Sequence, residues 1–115
     1  MNEAVTAAID QSSPHPPARN AAVLRCCAAR ERSLSESRAK GRDKYDTRQL
    51  AHDAYCEAMP DLSGYQNIRD FIACVAYGMV IDVISPIEAP KFLYAAQVAT
   101  GALRHEPKEQ KPPAA

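Results

Sequence analysis

A histidine and a cysteine lie four residues apart, at His52 and Cys56, within a stretch that has a helical pattern. Residues at i and i+4 share one face of a helix, so these two side chains can offer an imidazole nitrogen and a thiolate to the same metal ion. A structural zinc site takes four such ligands. The remaining histidines and the adjacent cysteines do not complete this set. The spacing of His15, His105, Cys26 and Cys27 does not fit a zinc site with His52 and Cys56. The sequence therefore predicts no metal and no other cofactor, with His52 a partly exposed histidine beside a packed cysteine.

Neighbouring carboxylates are a second arrangement with chemical potential, because two of them can divide the roles of general acid and general base. Asp53 and Glu57 have the i, i+4 spacing, although acids in this pattern more simply cover a solvated helix face. Asp82 differs, because it lies near the C-terminal end of an apolar helix, where the helix dipole disfavours negative charge. An ion pair with Lys91 or Arg104 would offset that effect.

Nucleophilic catalysis and phosphate binding have no support in the sequence. None of the serines lies in a nucleophile-elbow pattern, and the four glycines are scattered rather than gathered in a phosphate-binding loop. We therefore predict no catalytic residue and a chain that is not an enzyme.

The strongest functional signal is an uneven distribution of charge. The whole chain is balanced, with 14 basic and 14 acidic residues. Residues 19–48 hold nine basic and four acidic side chains, a net charge of +5, whereas residues 49–105 hold three basic and six acidic ones, a net charge of −3. A basic segment can contact phosphates, but the acids mixed into it also fit a solvated helix. The candidate contacts to a partner or to nucleic acid are Arg25, Arg32, Arg38, Lys40, Arg42, Lys44 and Arg48.

Four helical segments are expected to position these residues, at about 19–40, 46–59, 64–84 and 87–101. The second has apolar side chains at i, i+4 and i+8, and Pro60 follows its end. Ser63 with Gln66, and Ser85 with Glu88, have the capping-box spacing at the start of the third and fourth segments. Gly41 either ends the first helix or lies within it. Because no stretch alternates as a strand does, we predict an all-α fold, a small three- to four-helix bundle with a C-terminal apolar helical hairpin.

Length and composition place these helices in a single domain at residues 19–104, since 115 residues is one domain at most. Proline-rich residues 1–18 and the similar residues 105–115 are expected to be disordered tails. The first residues lack the pattern of a secretory signal, which favours reduced cysteines and a cytoplasmic location. The uncharged run at 71–81 is 11 residues long, whereas a bilayer span needs about 20. We therefore expect no membrane segment.

The third helix is apolar on every face, so it must be covered by the first helix or by a second copy of the chain. Small residues recur four apart in both helices of the hairpin, at Cys74 and Gly78 and at Ala95 and Ala99, which predicts that these two helices pack closely. We expect the chain to form a homo-oligomer, with a C2 dimer the commonest form. The candidate residues for self-association are Phe71, Cys74, Val75, Gly78 and Ile81.

These features favour a small non-enzymatic interaction module, an adaptor, inhibitor or regulator, whose partner is another protein. Its surface would combine the basic helix with exposed tyrosines at Tyr65, Tyr77 or Tyr94, since tyrosine and arginine are enriched at interfaces. The alternative is a nucleic-acid-binding protein that uses residues 19–48. Salt dependence separates the two, because nucleic-acid affinity falls steeply as salt concentration rises.

Overall fold

A computed structural model of the chain describes residues 20–105, which form four α-helices and contain no β-strand. The helices are α1 (Ala21–Ala39), α2 (Lys44–Glu57), α3 (Tyr65–Val80) and α4 (Ala89–Arg104). The prediction of a small all-α bundle is confirmed. The tails that were expected to be disordered lie outside the described residues, apart from His105.

Asn20 ties the start of α1 to α3. Its side-chain oxygen accepts hydrogen bonds from the backbone N–H groups of Ala22 at 2.8 Å and Val23 at 3.1 Å, which makes Asn20 the N-cap of α1. Its side-chain amide donates to Asp70 Oδ1 on α3 at 3.0 Å. One residue therefore caps one helix and links it to another.

Gly41 ends α1. It adopts φ of +66°, a left-handed conformation that glycine reaches without steric penalty. The N–H groups of Gly41 and Arg42 then donate to the carbonyls of Arg38 and Ser37, so the last turn of α1 closes as a Schellman motif. Asp43 begins α2 two residues later, since its carboxylate accepts from the backbone N–H of Asp46 at 2.8 Å.

The ends of α3 differ from the predicted ones. Its N-cap is Gly64, which makes no side-chain cap bond, because the Ser63 hydroxyl donates to Asp61 Oδ1 at 2.7 Å instead. The helix ends at Val80 rather than near residue 84, because Asp82 adopts φ of +63°. The N–H groups of Asp82 and Val83 donate to the carbonyls of Met79 and Gly78, which is again a Schellman closure, here with aspartate in the usual glycine position.

The fourth helix begins later and ends later than its sequence pattern predicts. Ser85 Oγ accepts from the backbone N–H of Glu88 at 3.0 Å, but this closes a turn, and the helix itself starts at Ala89 with Pro90 in its first turn. Gly101, expected as the C-terminal cap, lies inside α4, which continues to Arg104.

The helices pack in the order α2–α1–α3–α4, so the backbone of α4 approaches α3 and neither of the other two helices. Tyr55 of α2 is fully buried and crosses the core to donate its hydroxyl to the Cys74 carbonyl of α3 at 2.6 Å. Phe71 of α3 meets Phe92 of α4 edge to face, with ring centroids 5.8 Å apart. The first helix therefore covers one side of α3, and α4 covers another.

The two helices of the hairpin pack together as expected, but Cys74 and Gly78 of α3 make their close contacts with other parts of the fold. A β-carbon at Gly78 would lie 2.8 Å from Ile84 Cδ1 and 3.2 Å from Tyr55 Cε1, so the close approach is to α2 and to the turn after α3. Cys74 Sγ lies 3.6 Å from Cys26 Sγ on α1, and both side chains are fully buried. Their hydrogen bond, together with burial, raises the pKa of the Cys26 thiol and keeps it protonated.

Candidate functional site

His52, Cys56 and Glu88 meet where α2 faces the N-terminal end of α4. His52 Nε2 lies 2.9 Å from each carboxylate oxygen of Glu88 and 3.5 Å from Cys56 Sγ. One donor atom from each of the three residues falls within 4.8 Å of the other two. The helix α2 presents the first two side chains on one face, and the turn after α3 delivers the third.

Glu88 makes only one of the two hydrogen bonds of a capping box, which leaves its carboxylate free to contact His52. The backbone N–H of Glu88 bonds to Ser85 Oγ, as the sequence pattern predicts. In a complete capping box the glutamate side chain would bond back to the serine N–H. Here that carboxylate instead contacts His52, which lies 36 positions earlier in the chain. A residue that the sequence assigns to a helix end therefore belongs to a cluster of side chains.

Asp53 fixes the orientation of the histidine ring. Its Oδ1 accepts a hydrogen bond from His52 Nδ1 at 3.0 Å and another from Gln49 Nε2 at 3.1 Å. With Nδ1 held by Asp53, the ring directs Nε2 towards Glu88 and Cys56. A carboxylate on the far nitrogen is the usual partner of a histidine that binds a metal.

Nearby charge and burial shift the pKa of His52 in opposite directions and the pKa of Cys56 in the same direction. Burial lowers the pKa of His52, but the hydrogen bonds to Asp53 and Glu88 and the charges of both carboxylates outweigh it, so its pKa is raised. The ring can then donate from both nitrogens to carboxylates. Burial, followed by the charges of Glu88 and Asp53, raises the pKa of Cys56 to about 12. These shifts favour the protonated ring of His52 and the neutral thiol of Cys56.

A surface cleft of about 630 Å³ opens beside the cluster and carries charges of both signs. Arg30, Arg48 and Lys91 line it, together with His52 and the acids Asp82 and Glu88. Asp82 is exposed and forms no salt bridge with Lys91 or with Arg104 within residues 20–105, so the expected pairing is absent. The cleft therefore lacks the single sign of charge that would select an anionic or a cationic ligand.

The basic residues predicted as partner contacts are spread over α1, α2 and the turn between them. Three are engaged within the chain, since Arg38 bonds to Ser35, Lys40 to Glu36 at 3.0 Å, and Arg42 to the buried Ser37 hydroxyl at 3.0 Å. The other four are exposed and make no hydrogen bond or ion pair within the described part of the chain. These are Arg25, Arg32, Lys44 and Arg48. Nucleic-acid binding by this segment stays a prediction.

The residues predicted for self-association lie mostly inside the chain's own core. Phe71, Cys74, Val75 and Gly78 are buried against α1, α2, α4 and the turn after α3, and Ile81 is half-buried. The first helix, one of the two covers that the sequence allowed, covers Cys74 through Cys26, whereas Phe71 meets Phe92 of α4 and Gly78 lies against Tyr55 and Ile84. A second copy of the chain cannot reach the four buried residues without opening the fold, and self-association through Ile81 stays a prediction.

Other apolar side chains remain exposed on the last two helices. On α3 these are Ile72, Met79 and Val80. On α4 they include Tyr94 and Val98, which are 68% and 52% exposed. Of the tyrosines that were expected at an interface, Tyr65 and Tyr94 are exposed and Tyr77 is half-buried.

In comparisons with known proteins, no protein-family model, curated protein or solved structure matches the chain. Within residues 20–105, none of the helices has both the length and the apolar character needed to cross a membrane.

Proposed function

We propose that the chain is a non-enzymatic helical interaction module that assembles with a second copy of itself through the outer face of α4. This face consists of Tyr94, Ala95, Val98 and Ala102, all of which are exposed. Their spacing of i, i+1, i+4 and i+8 places them on one side of the helix.

The observation that carries the proposal is that α4 is apolar on two opposite faces and covered on one. Its inner face packs on α3 through side chains such as Phe92, Ala96 and Leu103. Its outer face carries no charge between Lys91 and Arg104. A surface helix of a monomer usually has a polar outer face, and an apolar one marks an interaction site.

A second copy fits this face because of its chemistry. In a C2 dimer the same patch meets itself, and a residue on the two-fold axis contacts its own copy, so a charge there would face a like charge. The outer face of α4 avoids that repulsion because it is uncharged. Alanines at positions 95 and 102 allow two helices to approach closely, and Tyr94 supplies the large aromatic contact typical of interfaces. The four exposed basic side chains on the first two helices remain available to another protein.

Two matched charge substitutions test the proposal. Val98→Asp would bury an uncompensated carboxylate in the dimer, whereas Leu24→Asp places the same charge on α1 at a side chain of equal exposure, 50% against 52%. We expect size-exclusion chromatography with light scattering to give twice 12.5 kDa for the wild type and for Leu24→Asp, and 12.5 kDa for Val98→Asp. Circular dichroism checks that both variants are folded. A dimer that survives Val98→Asp, or a wild type that is monomeric throughout, contradicts the proposal.

A further inference from the structure

We propose that His52 Nε2, Cys56 Sγ and the Glu88 carboxylate form a binding site for a zinc-like divalent transition-metal ion, with Asp53 as the residue that positions His52. This goes beyond the interaction function and departs from the sequence-based expectation of no metal. The sequence indicated two ligands, His52 and Cys56. The fold adds Glu88 as a third ligand and shows that the Asp53 carboxylate holds the His52 ring.

The distance between the histidine and cysteine donors matches that of a tetrahedral zinc ion, and the glutamate needs only a small shift. With Zn–N near 2.0 Å and Zn–S near 2.3 Å, a tetrahedral ion holds a nitrogen and a sulfur ligand about 3.5 Å apart. The distance between His52 Nε2 and Cys56 Sγ is 3.5 Å. The Glu88 oxygens lie 2.9 Å from the same nitrogen and need to open to about 3.3 Å. Glu88 is a half-exposed side chain, so rotation about its own bonds supplies that shift.

The donor set selects the class of ion. One imidazole nitrogen, one thiolate and one carboxylate suit zinc and its neighbours, whereas magnesium and calcium take oxygen ligands. The thiolate and carboxylate together carry two negative charges, which a divalent cation neutralises. Binding displaces the Cys56 thiol proton to solvent, together with the proton that His52 Nε2 donates to Glu88, because a metal takes the thiolate and the unprotonated ring nitrogen.

Asp53 is the second, independent observation that points to a metal. Its contact with His52 Nδ1 leaves Nε2 as the ring nitrogen that faces the other two donors. Asp53 is itself held by Gln49 of the preceding turn. Three protein ligands leave one tetrahedral position for a water molecule, and both His52 and Glu88 line the cleft from which that water would enter.

Cobalt is the probe for this site, because Co²⁺ takes the same ligands as zinc and its thiolate complexes absorb in the near ultraviolet. We expect the reduced, metal-free full chain to develop a thiolate-to-cobalt charge-transfer band that saturates at one Co²⁺ per chain and disappears when Zn²⁺ is added. The far-ultraviolet circular dichroism spectrum should show the same helix content before and after the titration.

Matched variants assign the ligands. Cys56→Ser should abolish the band, whereas Cys27→Ser, which removes another partly exposed thiol, should keep it. Glu88→Gln should weaken cobalt binding at least tenfold, whereas Glu57→Gln, an exposed carboxylate one residue beyond Cys56, should not. Asp53→Asn should keep the band and weaken binding about 10- to 100-fold, as loss of an outer carboxylate does in metal sites.

Two results would overturn the proposal. The first is a folded wild type that shows no charge-transfer band at millimolar Co²⁺. The second is a band that persists in Cys56→Ser, which would place the metal at another thiol. If Cys56→Ser fails to fold, the Glu88→Gln and Glu57→Gln pair decides the question, because equal cobalt affinity in the two contradicts the assignment.

Discussion

Two glycines within helices should respond in opposite ways to the same substitution. In α4 nothing lies within 4 Å of the position that a β-carbon would take at Gly101, whereas in α3 a β-carbon at Gly78 would meet Ile84 Cδ1 at 2.8 Å and Ile84 Cγ1 at 3.0 Å. Carbon atoms in contact lie about 3.5–4.0 Å apart, so the added methyl at Gly78 overlaps Ile84 by at least about 0.5 Å. The substitution of alanine adds the same methyl group at both positions, but only the methyl at Gly78 overlaps neighbouring atoms.

The surroundings of Gly78 have little freedom to relax. Ile84 is 1% exposed, and the Tyr55 ring, 3.2 Å from the new methyl, is anchored by its hydroxyl bond to the Cys74 carbonyl. An added methyl group in such a core costs about 1–3 kcal/mol. Replacing glycine by alanine within a helix contributes about 1 kcal/mol in the other direction. We expect Gly101→Ala to gain up to about 1 kcal/mol and Gly78→Ala to lose about 1 kcal/mol.

Urea unfolding followed by circular dichroism measures both free energies of unfolding, at one fixed protein concentration because association makes stability depend on concentration. Since the helix-propensity gain is common to both variants, their difference of about 1–3 kcal/mol reports the close packing alone. If Gly78→Ala proves as stable as Gly101→Ala, the approach of Ile84 and Tyr55 to α3 described above is wrong.

Three further substitutions test individual features of the fold. Asp82→Gly should raise the free energy of unfolding by about 0.5–1 kcal/mol, because it removes a β-carbon from a left-handed backbone position and a negative charge from the C-terminal end of α3. Asp82→Ala removes only the charge and keeps the β-carbon, so it should gain less. The opposite order in urea unfolding would refute this. Tyr55→Phe should cost about 0.5–1.5 kcal/mol in the same assay through loss of a buried hydrogen bond to α3, and an unchanged midpoint would contradict the burial of that hydroxyl. Hydrogen bonds from Asn20 and then from Gln66 lower the pKa of Asp70 in the folded chain. These bonds therefore stabilise the fold above the ordinary aspartate pKa of about 3.9, and this stabilisation is lost as the pH falls through the lowered pKa of the folded state. Asp70→Asn should flatten that acid limb of the stability–pH profile, and an identical limb in the variant would remove the link between α1 and α3 from the account.

The helices could be predicted from the sequence where their signals are local. The predicted bounds of α1 and α2, 19–40 and 46–59, lie within about two residues of the observed ones, because apolar periodicity acts within a few positions. The sequence left open whether Gly41 ends α1, and its left-handed conformation shows that it does. The end of α3 could not be predicted this way. Its apolar pattern continues past Val80, and the residue that closes the helix is Asp82, which carries no glycine-like signal.

The candidate metal cluster was predictable in part for the same reason. The i, i+4 spacing identified His52 and Cys56 as neighbours, since that relation is local. Glu88 matched a capping box just as well, and only the packing of the turn after α3 against α2 brings its carboxylate to the histidine. The small residues at positions 74 and 78 likewise indicated a close approach, but spacing within one helix does not say which neighbour approaches.

Sedimentation equilibrium of the wild-type full chain tests the central claim most directly, because the proposed function depends on a dimer formed through the outer face of α4. We predict a molar mass that rises with concentration from 12.5 kDa towards twice that value and stops there, as a closed dimer does. A mass that stays at 12.5 kDa up to millimolar concentration would show that this face is left bare in solution, and the proposed function would fall with it.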